Sequence, residues 1–428
     1  MMPDRNQAPT YQPITGFDLI TPRHIVLSNG LNVFIFDSGE QEVVRAEWIF
    51  DHAFVHTENP LLPTCACEML LEGTTSYTSR QIADTVDFYG AFLIPQYDAD
   101  RSTLSLFSLA KHLDKLLPLV KEVLVDSIFP DRELATYIRN SKQKLQVSLE
   151  KNSFVARRLF NAALFGDTRY GKCPEIADYE SITRQDLISL FKSQYTVANC
   201  TLVLSGHITE AILGRVAKHF GDEWLAGEQA LFDNVPAFPN IAEGGGVILE
   251  ERADALQSAI RLGNRSISRS HPEFPGLQVV NTLLGGYFGS RLMANIREDK
   301  GYTYSIGSGL GSLKHGSFFT IASEVGTAVT SATLNEVEKE IGRLKEEAVT
   351  DEELTLVKNY MMGSMLGSLE NVFSHADKFK NVYFSGLELD YYRYYTDVVR
   401  NIDTKEIQRL ANAYLDFDSM VKVIVGKM

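Results

Sequence analysis

The chain has 428 residues, of which 44% are hydrophobic, 22% charged and 10% aromatic, with 30 Gly and 14 Pro. That composition excludes disordered and collagen-like classes, and the length allows two or three domains of about 150 residues, each able to bury a core without disulfides. Forty-one basic against 55 acidic side chains leave a formal charge of −14. Such a surface repels nucleic-acid backbones and anionic membranes alike, so neither is expected as a partner. Four cysteines, Cys65, Cys67, Cys173 and Cys200, make no disulfide framework and read as reduced thiols. The N-terminus lacks a basic-then-apolar leader, and no run of about 18 apolar residues occurs, so the expectation is a soluble, cytoplasmic protein.

In chain order, "HIVLSNGLNVFIF" predicts a strand hairpin turning at Asn29-Gly30. "EWIFDHAFVHTENP" follows with strand character, and there His52 and His56, four apart on a strand, lie about 13 Å apart, too far to grip one ion. "LPTCACEMLLEG" predicts a helix on which Cys65 and Cys67 point to nearly opposite sides, so that they cannot share a metal. "PDRELATYIRNSK" from Pro130 opens a long amphipathic helix with an acidic first turn. In "SITRQDLISLFKSQYTVANCTLVLSG", Thr183 and Asp186 form an acidic capping box before a helix, and a short apolar strand ends on Gly206. Pro236, Pro239 and Gly244 to Gly246 then break periodicity in the manner of a linker.

The remainder repeats the first part. "NIDTKEIQRLANAYLDFDSMVKVIVG" stands 220 residues after the helix-strand unit above, with Asp403 and Glu406 as its capping pair and Gly426 as its end. "TDEELTLVKNYMM" from Thr350 matches the segment from Pro130, and "VNTLLGGYFGSRLMANIREDKGY" matches "CEMLLEGTTSYTSRQIADTVDFYGA". The capped helix, its returning strand and these two further segments keep the same order at nearly one offset, which implies duplication. The mixture is no strict β-α-β alternation, so the reading is α+β: two homologous halves, each a mostly antiparallel sheet with helices packed against it. The expected divisions are an extension (1–22), a first repeat (23–224), a linker (225–245) and a second repeat (246–428).

The glycine stretch "LLGGYFGSRL" lacks the Gly-Lys-Ser/Thr ending of a phosphate loop and follows a helical pattern. It reads as a helix end with Gly285 or Gly286 in the left-handed conformation; a functional reading makes Gly285, Gly286 and Gly289 a flexible, substrate-approaching loop. After it, "NIREDKGYTYSIGSG" sets Arg297 and Tyr304 seven residues apart across a turn at Gly301, where a helix passes into a strand. A permanent cation and a phenol are suited to holding carbonyl oxygens, the phenol where negative charge develops. On the residues alone, a solvated arginine and a strand aromatic remain the simpler reading.

"LSNGLNVFIF", "EMLLEGTTSYTS", "LFGDTRYGK", "QYTVANCTLVLSG" and "GSRLMANIREDKGYTYSIGS" together resemble the pitrilysin/insulinase-like zinc peptidases from about residue 23 onward. The likeness is to the short-chain, two-subunit kind that includes the mitochondrial processing peptidase subunits. The resemblance implies two related halves that pair with a second subunit around a peptide. Active members carry His-x-x-Glu-His before the Gly-Thr that corresponds to Gly73-Thr74; here Thr64, Cys65, Ala66, Cys67 and Glu68 stand instead, and both imidazoles and the general base are missing. A third carboxylate ligand is expected near Lys144 to Gln146, where none occurs. The family's second-half Arg and Tyr fall on Arg297 and Tyr304. The implied role is a zinc-less subunit that binds no cofactor itself and lends Arg297 and Tyr304 in trans to a homologous zinc-bearing peptidase subunit acting on peptides. A noncatalytic scaffold and a peptide-binding homodimer of the same fold are the alternatives.

Overall fold

The computed structural model describes residues 14, 16–52, 59–222, 238 and 245–428. The first half runs β1 (Arg23–Val26), β2 (Asn32–Asp37), β3 (Val43–Asp51), α1 (Leu62–Glu68), α2 (Ser79–Phe88), β4 (Phe92–Tyr97), β5 (Arg101–Leu109), α3 (Leu113–Asp126), α4 (Asp131–Leu149), α5 (Asn152–Phe165), α6 (Arg184–Gln194), β6 (Cys200–Gly206) and α7 (Glu210–Phe220). The second runs β7 (Val247–Glu251), β8 (Gln257–Arg265), α8 (Phe274–Asn281), β9 (Thr303–Ser312), β10 (Ser317–Gly326), α9 (Thr330–Glu346), α10 (Asp351–Gly367), α11 (Val372–Tyr383), α12 (Asp390–Asn401), α13 (Thr404–Tyr414) and β11 (Val421–Gly426). The sheet orders are β1-β2-β6-β3-β5-β4 and β7-β11-β8-β10-β9. Set β1 aside and the two orders superpose, down to one parallel pair in each, β2 with β6 and β7 with β11. The duplicated α+β architecture is therefore present as the sequence led us to expect. Apart from Phe238 and Gly245, the expected linker lies outside the described residues.

The repeated local signals act as read. Thr183 accepts from the Asp186 backbone while Asp186 reaches back, and Asp403 accepts from the Glu406 backbone at 2.8 Å. Gly206 and Gly426, one at the end of each returning strand, adopt φ of 127° and 139°. A Cβ at Gly206 would lie 2.1 Å from the Val43 carbonyl oxygen, so neither conformation nor space admits a side chain there.

Both faces of each sheet are buried, which explains why β2 and β6 read as unbroken apolar runs. On one face of the first sheet, Val33, Ile35, Ala46, Trp48, Leu104 and Leu204 pack under helices of the same half. The opposite face, carrying Phe34, Phe36, Ile49 and Val203, is covered by Ala376 and Phe379 of α11, which belongs to the second half. Reciprocally, α5 of the first half lays Val155, Phe160 and Leu164 on Ala259, Val421, Val423 and Val425 of the second sheet. These two helices begin 220 residues apart, at Asn152 and Val372, so each repeat donates the same element to its twin.

A charged network crosses this exchange. Glu47 of β3, almost fully buried, pairs with Lys380 at 2.7 Å and Arg45 at 3.2 Å; Arg45 also reaches Asp377 at 3.0 Å and donates to the Phe373 carbonyl at 2.9 Å. Breaking a buried pair leaves an uncompensated charge, so Glu47→Gln is expected to cost about 3 kcal/mol, read as a lower urea midpoint, whereas the same change at half-exposed Asp377 costs less.

Candidate functional site

Beyond α8 the helix widens into two π-helical turns, Thr282–Gly286 and Met293–Asp299, separated by the glycine turn. Such one-turn π segments frequently occur at functional sites. Arg297 stands in the second of them, and Tyr304 near the start of β9. The structure brings the two together: the Arg297 guanidinium carbon lies 5.6 Å from the Tyr304 ring centroid and 4.5 Å from that of Phe288. Phe288 is 63% exposed and Tyr304 88% exposed, an unusual display for two large aromatic rings. Among the described residues neither Glu298 nor Asp299 forms an ion pair with Arg297, whose guanidinium lies against the two rings.

Tyr304 owes its presentation to an irregularity in the sheet. Thr303 pairs with Val325 and Ile306 with Ser323, which leaves Tyr304 and Ser305 opposite Glu324 alone. This extra residue bulges an edge strand, and bulges re-aim side chains at sheet rims. Thr303 steadies the bulge by donating its hydroxyl to the Glu324 carbonyl at 2.7 Å. The π turn is likewise anchored. Arg291 grips Glu353 of α10 through two bonds of 2.8 and 2.9 Å, and the Asn295 amide donates to Glu336 and Glu340 of α9 at 2.8 and 2.7 Å.

The glycines behave differently from the sequence expectation. Neither Gly285 nor Gly286 is in the left-handed region; both belong to the first π turn. Gly285 is required by proximity, because a Cβ there would come within 2.7 Å of the Ser308 backbone nitrogen on β9. The left-handed helix end is thus replaced by a close helix-strand contact. Gly286 and Gly289 lie on the exposed side of the turn. Sequence reasoning missed Phe288, whose signal was an aromatic pair, Tyr287-Phe288, between glycines, and also the bulge and the Arg291 and Asn295 anchors, which carry no local signature.

The degenerate zinc region sits on α1. Cys65 and Cys67 are both buried, and burial pushes their thiols up to about 12 and about 11. Two positions apart on one helix, the thiols point to different sides and cannot close on one ion. Thr64 offers only a hydroxyl at its position, and exposed Glu68 accepts a 2.8 Å bond from the Tyr137 phenol of α4. Among the described residues no cluster of three or more His, Cys, Asp or Glu is placed to hold a metal ion. The donor set therefore does not fit zinc, and no chemical step is assigned to a metal on this chain. His56 lies outside the described residues.

His52, in contrast, is sealed in, sharing a 2.6 Å hydrogen bond with the Ser102 hydroxyl. Burial, reinforced by the Arg169, Arg101 and Lys314 cations, lowers its pKa from 6.5 to about 3. The unfolded chain then takes a proton near 6.5 that the folded chain refuses until about 3. Stability is unaffected by this group above 6.5 and falls as the solution is acidified below it, by about 1.4 kcal/mol per pH unit. His52→Gln is expected to flatten that fall, giving urea midpoints that change less between pH 6.5 and about 5 than in the parent chain.

Comparison with known proteins bears on the fold. Residues 181–361 match the family described as Peptidase M16 inactive domain. An uncharacterized zinc protease, YmxG, of Bacillus subtilis is 24% identical over 72% of this chain and 74% of its own. One from Rickettsia felis is 22% identical over 90% and 93%, and a Helicobacter pylori protein named a non-peptidase homolog is 24% identical over 84% and 83%. Among solved structures, a peptidase M16 inactive domain from Pseudomonas fluorescens superposes with a TM-score of 0.85 at 22% identity, covering 95% of this chain and 98% of that one. With the duplicated fold and the lost His-x-x-Glu-His positions in view, the chain resembles the insulinase-like M16 peptidases, and its residues 181–361 match their inactive domain.

Proposed function

We propose that this chain is the zinc-less subunit of a two-chain metallopeptidase and completes the active site of a homologous zinc-bearing partner. The observation that carries the reading is Arg297 on the second π turn beside the exposed Tyr304 on the edge strand β9, in a chain that lacks the His-x-x-Glu-His ligands. In this arrangement the partner carries the metal. An extended peptide adds to a sheet edge through its backbone, the Tyr304 phenol donates to the oxygen on which negative charge develops, and the Arg297 guanidinium orients a neighbouring carbonyl. Phe288 and the Tyr304 ring confine the guanidinium between two faces and reduce its freedom before substrate arrives.

Mixing is the test. The purified chain alone is expected to leave unfolded peptides intact and to hold no stoichiometric zinc, and addition of the zinc-bearing chain with which it co-purifies is expected to start cleavage. The second reading, a noncatalytic scaffold, draws on the relative named a non-peptidase homolog. No cleavage by the authentic pair would favour it, and self-association without any second chain would favour a peptide-binding homodimer.

A further inference from the structure

We infer that a cavity in the second half, walled by α8, α10, α11 and α12, binds an oxyanion, a carboxylate or phosphate group, carried on a small organic molecule with an aromatic or apolar body. The cavity measures about 410 Å³, within the range of small-ligand sites, and two cations face it, Arg269 and Lys378. Neither forms an ion pair or side-chain hydrogen bond with any described residue, and the Arg269 Nε is buried without a partner. An unsatisfied buried donor costs free energy, and two like charges in one cavity add repulsion, so the apo pocket is unfavourable as it stands. The neighbouring carboxylate, Asp377, is engaged elsewhere, with Arg45 at 3.0 Å and Lys380 at 2.9 Å.

The remaining walls specify the ligand further. Burial holds the Tyr395 phenol up to about 12 and Tyr391 higher, so both are protonated donors at neutral pH. Burial and then the Arg269 charge push the Lys378 ammonium below its ordinary value, a sign that the two cations feel each other. The charged and phenolic groups facing the cavity are thus donors, which suits a group that only accepts. Phe274, whose ring lies 6.0 Å from the Arg269 guanidinium carbon, is buried behind it, and the part-exposed rings of Tyr360, Tyr391 and Tyr395 offer the ligand body aromatic faces. In a chain of net charge −14 the local sign is inverted here. These residues are separate from Arg297 and Tyr304, so the inference stands or falls independently of the subunit reading.

The test uses the full chain in phosphate-free buffer of low ionic strength, with inorganic phosphate, phenyl phosphate and benzoate as probes, followed by calorimetry and thermal shift. We expect saturable binding of phenyl phosphate or benzoate at about one equivalent, tighter than inorganic phosphate. Phenyl phosphate winning identifies a phosphoryl ligand, benzoate winning a carboxylate. Arg269→Gln and Lys378→Met are each expected to weaken binding about tenfold or more, the loss of one charge-assisted hydrogen bond, while Arg80→Gln, at an exposed site far from the cavity lining, changes nothing. If Arg269→Gln does not fold, Lys378→Met decides alone. The inference is overturned if none of the three probes saturates, if the Arg269 and Lys378 variants bind as the parent does, or if Arg80→Gln weakens binding equally.

Discussion

In the assembled pair, Tyr304→Phe is expected to lower peptide turnover about 10²- to 10³-fold, the loss associated with one donor aimed at a developing oxyanion. The change removes a single oxygen from a ring that is 88% exposed, so it leaves the core untouched and the fold serves as its own control. Because the hydrogen bond matters most when charge has formed, kcat should fall with little change in KM. Arg297→Lys keeps the charge but loses the planar fork that lies against Phe288 and Tyr304, and is expected to raise KM as well. Turnover unchanged by Tyr304→Phe, measured on the same pair, would remove the phenol from the mechanism.

The second large effect concerns the exchanged helices. Phe160 is fully buried where α5 crosses the second sheet, and Phe379 lies among Phe34, Phe36 and Tyr383 with ring centroids 4.7, 5.5 and 5.2 Å away. Phe160→Ala is expected to destabilise the whole chain by about 3 to 5 kcal/mol, observed as one cooperative urea transition moved to lower concentration. Cutting the chain between residues 225 and 245 makes the same point more severely. Residues 246–428 alone leave Val421, Val423 and Val425 without Val155, Phe160 and Leu164, and are expected to aggregate, whereas co-expression with residues 1–224 restores a soluble complex. A monomeric, cooperatively folded second half would show that the exchange is incidental.

These two results probe features of different legibility. Thr183 with Asp186 and Asp403 with Glu406 announce their helices because a cap is a contact among residues three apart, and the side chain that satisfies the first free N–H groups is written beside them. The duplication was readable because both copies solve the same local problems at the same offset. Gly285 shows the opposite case. Its neighbour across space, Ser308, is 23 positions away, and no local rule distinguishes a glycine needed for proximity from one needed for a left-handed turn.

By itself, then, the order of residues determined the pairing of halves, the capped helices and the absence of His-x-x-Glu-His chemistry at Thr64, Cys67 and Glu68, since each depends on residue identity or short-range periodicity. Only the tertiary structure decided that α5 and α11 change places, that a bulge turns Tyr304 outward beside Arg297, and that Arg269 and Lys378 share one cavity. Those outcomes follow from burial and charge summed over contacts far apart in the chain, where an apolar helix face fits any apolar sheet equally well until the whole set of surfaces is covered.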